Sequence, residues 1–347
     1  MSSSTEVDWY QPPEAAPHQF VLMACPNSTS DNSGSLLQDA QNEIISIANA
    51  VAEFDPVILF SSSETLDMVK SRVNDNVSVF CAEETSHLWI RDFGPIFVRS
   101  RHDQSVSAVN FNFNYWGDKR APSGDEKIAD IASQKILGAA TLPAGIIAEG
   151  GGMEIDGEGT FMAAESAVIN DNRNPGKTRT QIEAELSRLL GVTKFLWLAG
   201  EVGKETTDCH IDALARFIRP GVVLLSKPSP EGGGKYGAAY EDAKCRLSQA
   251  TDANGRSLQL YDCVEPDLGK LTRVSEGENC VASYVNFLMV NGGVIIPRFG
   301  DEEKDQEALK LFKTLYHDRK VVQVLINALP SIGGGIHCAT QQVPALT

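Results

Sequence analysis

The chain has no paired-cysteine motif and no long apolar run, and it is short of positive charge. Its seven cysteines are odd in number and scattered singly, with no CxxC spacing. That excludes a complete disulfide framework and leaves no zinc-ribbon signature. No apolar stretch approaches the roughly 20 residues that a membrane-spanning helix needs. The opening Met1-Ser2-Ser3-Ser4-Thr5-Glu6-Val7-Asp8 carries neither a basic region nor an apolar core. The expectation is therefore a cytoplasmic protein with reduced thiols and no membrane partner. Lys and Arg number 30 against 46 Asp and Glu, for a formal net charge of -16. That sign is wrong for nucleic acid, whose phosphates demand a basic surface. It suits solubility, and it also suits attraction of a small cationic substrate.

What the chain does contain is enough apolar residue, 42% of 347, to bury a large core. Short β-rich runs alternate with amphipathic helices along its whole length. Strands are predicted at Phe20–Ala24, Pro56–Phe60, Val77–Cys81, Pro95–Val98, Val106–Phe113, Phe195–Leu198, Gly221–Leu225, Phe287–Val290, Val294–Ile296 and Val321–Ile326, where β-branched and aromatic residues lie between turn formers. Helices are predicted at Leu36–Phe54, Ile128–Leu137, Thr180–Leu190, Tyr236–Ala250 and Glu303–Tyr316 from apolar recurrence near 3.6 residues. No long polar linker separates them; the Pro/Gly-rich stretch from Lys227 to Lys235 reads as a loop. The division expected is an N-terminal extension, residues 1–12, and one catalytic domain, residues 13–347. About five helix-plus-strands units suggest repeated modules.

Chemistry-bearing residues gather beside glycines, prolines or strand ends. Cys338 follows Gly333-Gly334-Gly335-Ile336-His337. Glycines let a backbone pass close to a ligand, one way of presenting a nucleophile at a pocket floor; a strand-to-turn segment reads equally well in isolation. Its company is Thr207-Asp208-Cys209-His210-Ile211-Asp212, Trp89-Ile90-Arg91-Asp92-Phe93-Gly94-Pro95 and Glu149-Gly150-Gly151-Gly152. Together they supply a thiol, an imidazole and three carboxylates. Carboxylates pair bidentately with the planar donors of a guanidinium, and a guanidinium is itself a cation able to stabilise a thiolate. On a strand, His210 and Asp212 would share one face, and Cys209 would point to the other.

The blocks WIRDFGPIFV, EGGGMEIDGEGT, NDNRNP, DCHIDALARFIRPGVVLL and GGGIHCATQQ, in that order, resemble those of agmatine deiminases and bacterial-type peptidylarginine deiminases, members of the guanidine-modifying, or pentein, superfamily. The resemblance runs from about Pro13 to the C-terminus. It implies a five-bladed pseudosymmetric α/β propeller of ββαβ-type modules with its site on the central axis. It also implies roles. Cys338 would be the nucleophile and His210 the general acid/base. Asp92 and Asp212 would clamp the guanidinium nitrogens, with Glu149 a further carboxylate partner of guanidinium and histidine. Trp89, Trp116 and Gly334 would line the substrate pocket. The activity implied is hydrolysis of a guanidinium to a ureido group and ammonia through an amidino-thioether, with no metal or organic cofactor. The partner would be a small guanidinium compound or an arginine-containing peptide, and similar enzymes are often homo-oligomers.

The chain departs from the agmatine deiminase pattern where the far end of a substrate would lie. Ala15-Ala16-Pro17-His18 and Met23-Ala24-Cys25-Pro26 stand where Trp-Glu-Pro-His and Met-Ala-Trp-Pro are usual. Thr206 stands where an acid is expected, with Glu205 one position off. The expectation is that an arginine derivative without a free amine rivals agmatine. Two remoter readings stay open: a metal-dependent hydrolase using Asp208, His210, Asp212, His337 and Cys338, and a pentein that binds without catalysis. A phosphate loop at Glu231-Gly232-Gly233-Gly234-Lys235-Tyr236 lacks the Ser or Thr that must follow the lysine.

Overall fold

The computed structural model describes residues 9–30, 32–230, 236–272 and 280–345; the glycine stretch Glu231–Lys235 and the opening Met1–Asp8 lie outside them. The described residues form five sheets, and each repeats one plan: an antiparallel hairpin, a helix, then a strand returning parallel to the hairpin's second strand. In one, Leu288–Val290 pairs antiparallel with Gly293–Arg298, helix Glu302–Leu315 crosses, and Lys320–Leu325 pairs parallel. The same sequence runs through Ala215–Arg219, Val222–Lys227, helix Gly237–Ser248 and Gln259–Val264. It recurs in Glu154–Ile155, Thr160–Ala164, helix Arg179–Leu190 and Lys194–Leu198. A fourth copy is Ile96–Ser100, Val106–Asn110, helix Ile128–Leu137 and Leu142–Pro143, with Trp9–Tyr10 added on its outer edge.

The fifth copy joins the two ends of the chain. Thr340–Pro344 pairs antiparallel with His18–Ala24; helix Gly34–Val51 follows, then Val57–Ser61 and Val77–Cys81 in parallel. This closes the five ββαβ modules into the five-bladed α/β propeller, the pentein arrangement that the sequence resemblance implies. Two large apolar clusters hold the blades. The longest helix shows why the pattern works: Ala40, Ile44, Ile47, Ala48 and Val51 are all fully buried, at the i, i+3, i+4 recurrence of one helical face. Helix Arg179–Leu190 begins with a capping box, Thr178 with Gln181, and stops at Gly191 in the left-handed conformation.

The expected strands and helices are present with ends moved by no more than three residues. Strands Glu154–Ile155, Thr160–Ala164, Ala215–Arg219, Gln259–Val264 and Thr340–Pro344 and helix Ser63–Lys70 were not expected. One local expectation is corrected. His210 and Asp212 do not lie on a strand: Asp208 and Cys209 have φ of 60° and 75°, and Ile211–Ala213 is a single 3-10 turn. Both side chains nonetheless turn inward, because a tight turn replaces the alternation of a strand.

Candidate active site

Five chain segments supply the site, each the approach to the first strand of a different blade. They carry Asp92 (before Ile96–Ser100), Glu149 and Gly151 (before Glu154–Ile155), His210 and Asp212 (before Ala215–Arg219), Asn286 (before Leu288–Val290) and Cys338 (before Thr340–Pro344). Pseudosymmetry thus delivers one functional segment per module to a common centre.

Cys338 is buried. Asn286 Nδ2 donates to its sulfur at 3.1 Å, and Asn286 Oδ1 accepts from the backbone N–H groups of His337 at 2.9 Å and Cys338 at 3.3 Å. The thiol donates to Asp212 Oδ2 at 3.4 Å. Burial, and then the Asp212 and Asp92 carboxylates, push the thiol well above its ordinary range. Alone, this cysteine holds its proton; it needs a cation to become a nucleophile.

The imidazole and the carboxylates surround one point. A Cβ placed on Gly151 would lie 2.7 Å from His210 Nδ1, 2.8 Å from Asp92 Oδ1 and 3.0 Å from Asp212 Oδ2. Only a residue without a side chain fits between them. Gly151→Ala is accordingly expected to lower kcat/KM for guanidinium hydrolysis by on the order of 10²-fold, the scale of a 1 Å misplacement. The check is steady-state kinetics beside an unchanged circular dichroism spectrum.

Asp92 accepts from Trp116 Nε1 at 2.9 Å and from Gly151 N–H at 3.0 Å. Burial pushes its carboxyl up to about 6, with Asp212 and Glu149 adding to the rise and His210 opposing it. His210 lies 3.6 Å from Asp92 and 3.4 Å from Glu149 Oε2. Burial alone would pull its imidazole down, but Asp92, Glu149 and Asp212 outweigh this and raise it to about 9. Glu149 takes both carboxylate oxygens to Arg173 Nε, at 2.8 and 2.9 Å. Against the upward push of burial, that guanidinium holds its carboxyl down. Asp212 is fully buried, yet its Oδ1 has no hydrogen-bond partner, a buried acceptor left with unused capacity.

The expected pocket residues divide. Trp89 packs on Gly334, where a Cβ would lie 2.5 Å from its ring. Trp116 meets the site through its indole N–H on Asp92 rather than as a bare wall. Asn286, Arg173, Glu14 and His337 are contributors for which the sequence reading assigned no such role. Asp208 is drawn away by Arg173 and Lys119, at 2.8 and 2.7 Å. Among the described residues, no group of three or more His, Cys, Asp or Glu is arranged to hold a metal ion. Cys209 is buried with its thiol pushed up to about 12, chiefly by burial.

The family model of the Porphyromonas-type peptidyl-arginine deiminases matches residues 10–344. The chain belongs to this family. It is similar to the agmatine deiminase of Pseudomonas fluorescens, 35% identical over 97% of this chain and 96% of that protein. The agmatine deiminase of Stutzerimonas stutzeri is 33% identical over 99% of this chain and 98% of its own, and that of Medicago truncatula is 32% identical over 97% of each. The solved agmatine deiminase of Enterococcus faecalis, described as catalysing its reaction, superposes with a TM-score of 0.89 at 29% identity, covering 98% of this chain and 97% of that one.

Proposed function

We propose that this protein is a cysteine-dependent hydrolytic deiminase that converts agmatine to its ureido product and ammonia. The observation that carries the reading is the convergence of one buried thiol, one imidazole raised to about 9 and an unpartnered, fully buried carboxylate oxygen on a single centre. The guanidinium settles against Asp92 and Asp212, and its charge offsets the two carboxylates that hold the thiol protonated. Neutral His210 takes the thiol proton, and the Cys338 thiolate attacks the guanidinium carbon. Protonated His210 donates to the departing nitrogen, ammonia leaves, and a cationic amidino-thioether remains. Neutral His210 then takes a proton from water, and the hydroxide adds to the same carbon. The C–S bond breaks, returning the thiolate; the remaining hydroxyl proton leaves with ammonia as ammonium.

Agmatine is preferred over an arginine-containing peptide because full-length relatives at 32–35% identity act on it. The carboxylates that flank Thr206 are engaged elsewhere: Glu205 accepts from Thr207 N–H, Thr207 Oγ1 and Cys209 N–H, each at 2.6 Å, and Asp208 is held by Arg173 and Lys119. A substrate panel tests the preference. Ammonia release should be fastest, by kcat/KM, with agmatine; an N-acyl arginine amide that equals it would overturn the choice of substrate.

The resting pair is a neutral thiol and a protonated imidazole, whereas the reacting pair is a thiolate and an imidazolium, one proton fewer. kcat/KM is therefore expected to climb about tenfold per pH unit from about 6 to about 9 and to level above, as His210 titrates. Below about 6 it should fall more steeply, because Asp92 protonates. A profile flat from pH 6 to 9 contradicts this assignment of protons.

Residues 13–347 are proposed as one catalytic unit, supported by the family match through 344 and the closing pair of first and last blade strands. A cytoplasmic setting is proposed because seven unbridged cysteines suit a reducing compartment. No helix among the described residues is long and apolar enough to cross a membrane. Self-association is proposed on the resemblance alone, to be measured by sedimentation.

A further inference from the structure

Beneath Asp212 runs a line of buried ionisable groups that the reaction scheme leaves unused. The ring of His337 stands between two carboxylates, with Nδ1 2.8 Å from Asp212 Oδ2 and Nε2 2.9 Å from Glu14 Oε2. All three side chains are buried. Each contact needs its own proton, so one imidazolium between two carboxylates satisfies both. Glu14 arrives from the other end of the chain. It also accepts from Arg216 Nη2 at 2.9 Å and Met289 N–H at 2.8 Å, and Arg216 continues to Glu154 at 3.1 Å. Arg91 closes the surroundings, its Nη2 3.6 Å from Glu14 and its Nε donating to the His337 carbonyl at 3.3 Å. The outer side borders a cavity of about 90 Å³ lined by Glu14, His337, Arg91 and Glu154, and by none of Cys338, His210, Asp92, Asp212 or Glu149.

We propose that His337, backed by Glu14, is a positioning residue that pins Asp212 Oδ2 from behind and so keeps Asp212 ionised with Oδ1 turned toward the guanidinium. The proposal rests on the deiminase reading. Asp212 offers two chemically equal oxygens, and only an asymmetric environment can dedicate one of them to substrate. Oδ2 is held at 2.8 Å by His337 and at 3.4 Å by Cys338, while Oδ1 has no partner. Burial would push the Asp212 carboxyl up; the hydrogen bond and charge of His337 outweigh it, with help from His210 and Arg216, and hold it down. Glu14 acts one step further out, giving the imidazolium its second carboxylate.

The test is agmatine binding, by calorimetry from pH 5 to 9, to full-length Cys338→Ala and to the same variant carrying His337→Asn or Glu14→Gln. The thiol's own titration and turnover are then absent. With His337→Asn, Kd at pH 7 should rise at least about tenfold, and weakening on acidification should begin at least about one pH unit higher, the scale of a lost cationic neighbour. Glu14→Gln should move the onset the same way by less, and it serves alone if the His337 variant does not fold. A Kd raised equally at every pH, or no change, overturns the proposal, because lost packing has no reason to move a titration. Wild-type ammonia release from agmatine is measured alongside: its absence defeats the deiminase reading instead.

Discussion

Cys338→Ala is expected to abolish ammonia release from agmatine, a loss on the order of 10⁴-fold or more, as when a covalent nucleophile is removed. Cys209 does not replace it: Cys338 is the thiol in contact with Asp212 and Asn286, and of the pair Cys209 and His210 it is His210 that turns inward. The fold should survive. The lost sulfur contacts Asn286 and Asp212, and truncation of one small buried side chain costs roughly 1 kcal/mol. The same variant should still bind agmatine, since Asp92 and Asp212 are untouched. Intact-mass analysis of wild type during turnover should show an amidine adduct that the alanine variant lacks. Retained turnover in Cys338→Ala would falsify the covalent route.

His210→Ala carries the second largest effect. Loss of a general acid/base is worth about 10²- to 10⁴-fold, and in the proposed scheme the residue serves both half-reactions. A second consequence is electrostatic. His210 is the cation shared by Asp92, Glu149 and Asp212; without it, three buried carboxylates face one another. Asp92 already sits at about 6 with His210 pulling it down, so its carboxyl should move higher in the variant. Agmatine binding should then weaken on acidification from above pH 6, whereas a variant that had lost only proton transfer would bind as wild type does. Stopped-time ammonia assays give the rate, and calorimetry across pH gives the binding.

Cys338, Asp92 and Glu149 were legible as candidates for one site because each sits beside glycine or proline, His210 and Asp212 because an imidazole and a carboxylate stand two residues apart, and the blocks containing all five occur in a recognisable order. Asn286 had no such flag. Its signal is positional: it occupies the approach to the first strand of its blade, the place that yields a functional residue in each of the other four. Finding it requires the module boundaries, and those were blurred because Thr160–Ala164 ends in two alanines, which are poor strand formers. Glu14 and Arg173 were harder still. Glu14 meets Arg216 and His337 at separations of 202 and 323 residues, and no periodicity encodes such a contact. The inward turn of Asp212 also came from a geometry unlike the one expected. A strand argument reached it, whereas positive φ at Asp208 and Cys209 produces it.

The seam between Thr340–Pro344 and His18–Ala24 bears on how the enzyme comes into being. Cys338, the proposed nucleophile, stands two residues ahead of the last strand of the ring to be laid down, and its partners are spread over the other blades. During synthesis the ribosome finishes four approaches to the centre before it makes the fifth. A nascent chain stopped short of residue 340 would hold a histidine and its carboxylates with no thiol seated among them. Catalytic competence then arrives as a single late event, when the terminal strand zips onto one made more than 300 residues earlier, and a protease that clips this seam should silence the enzyme without touching a catalytic side chain.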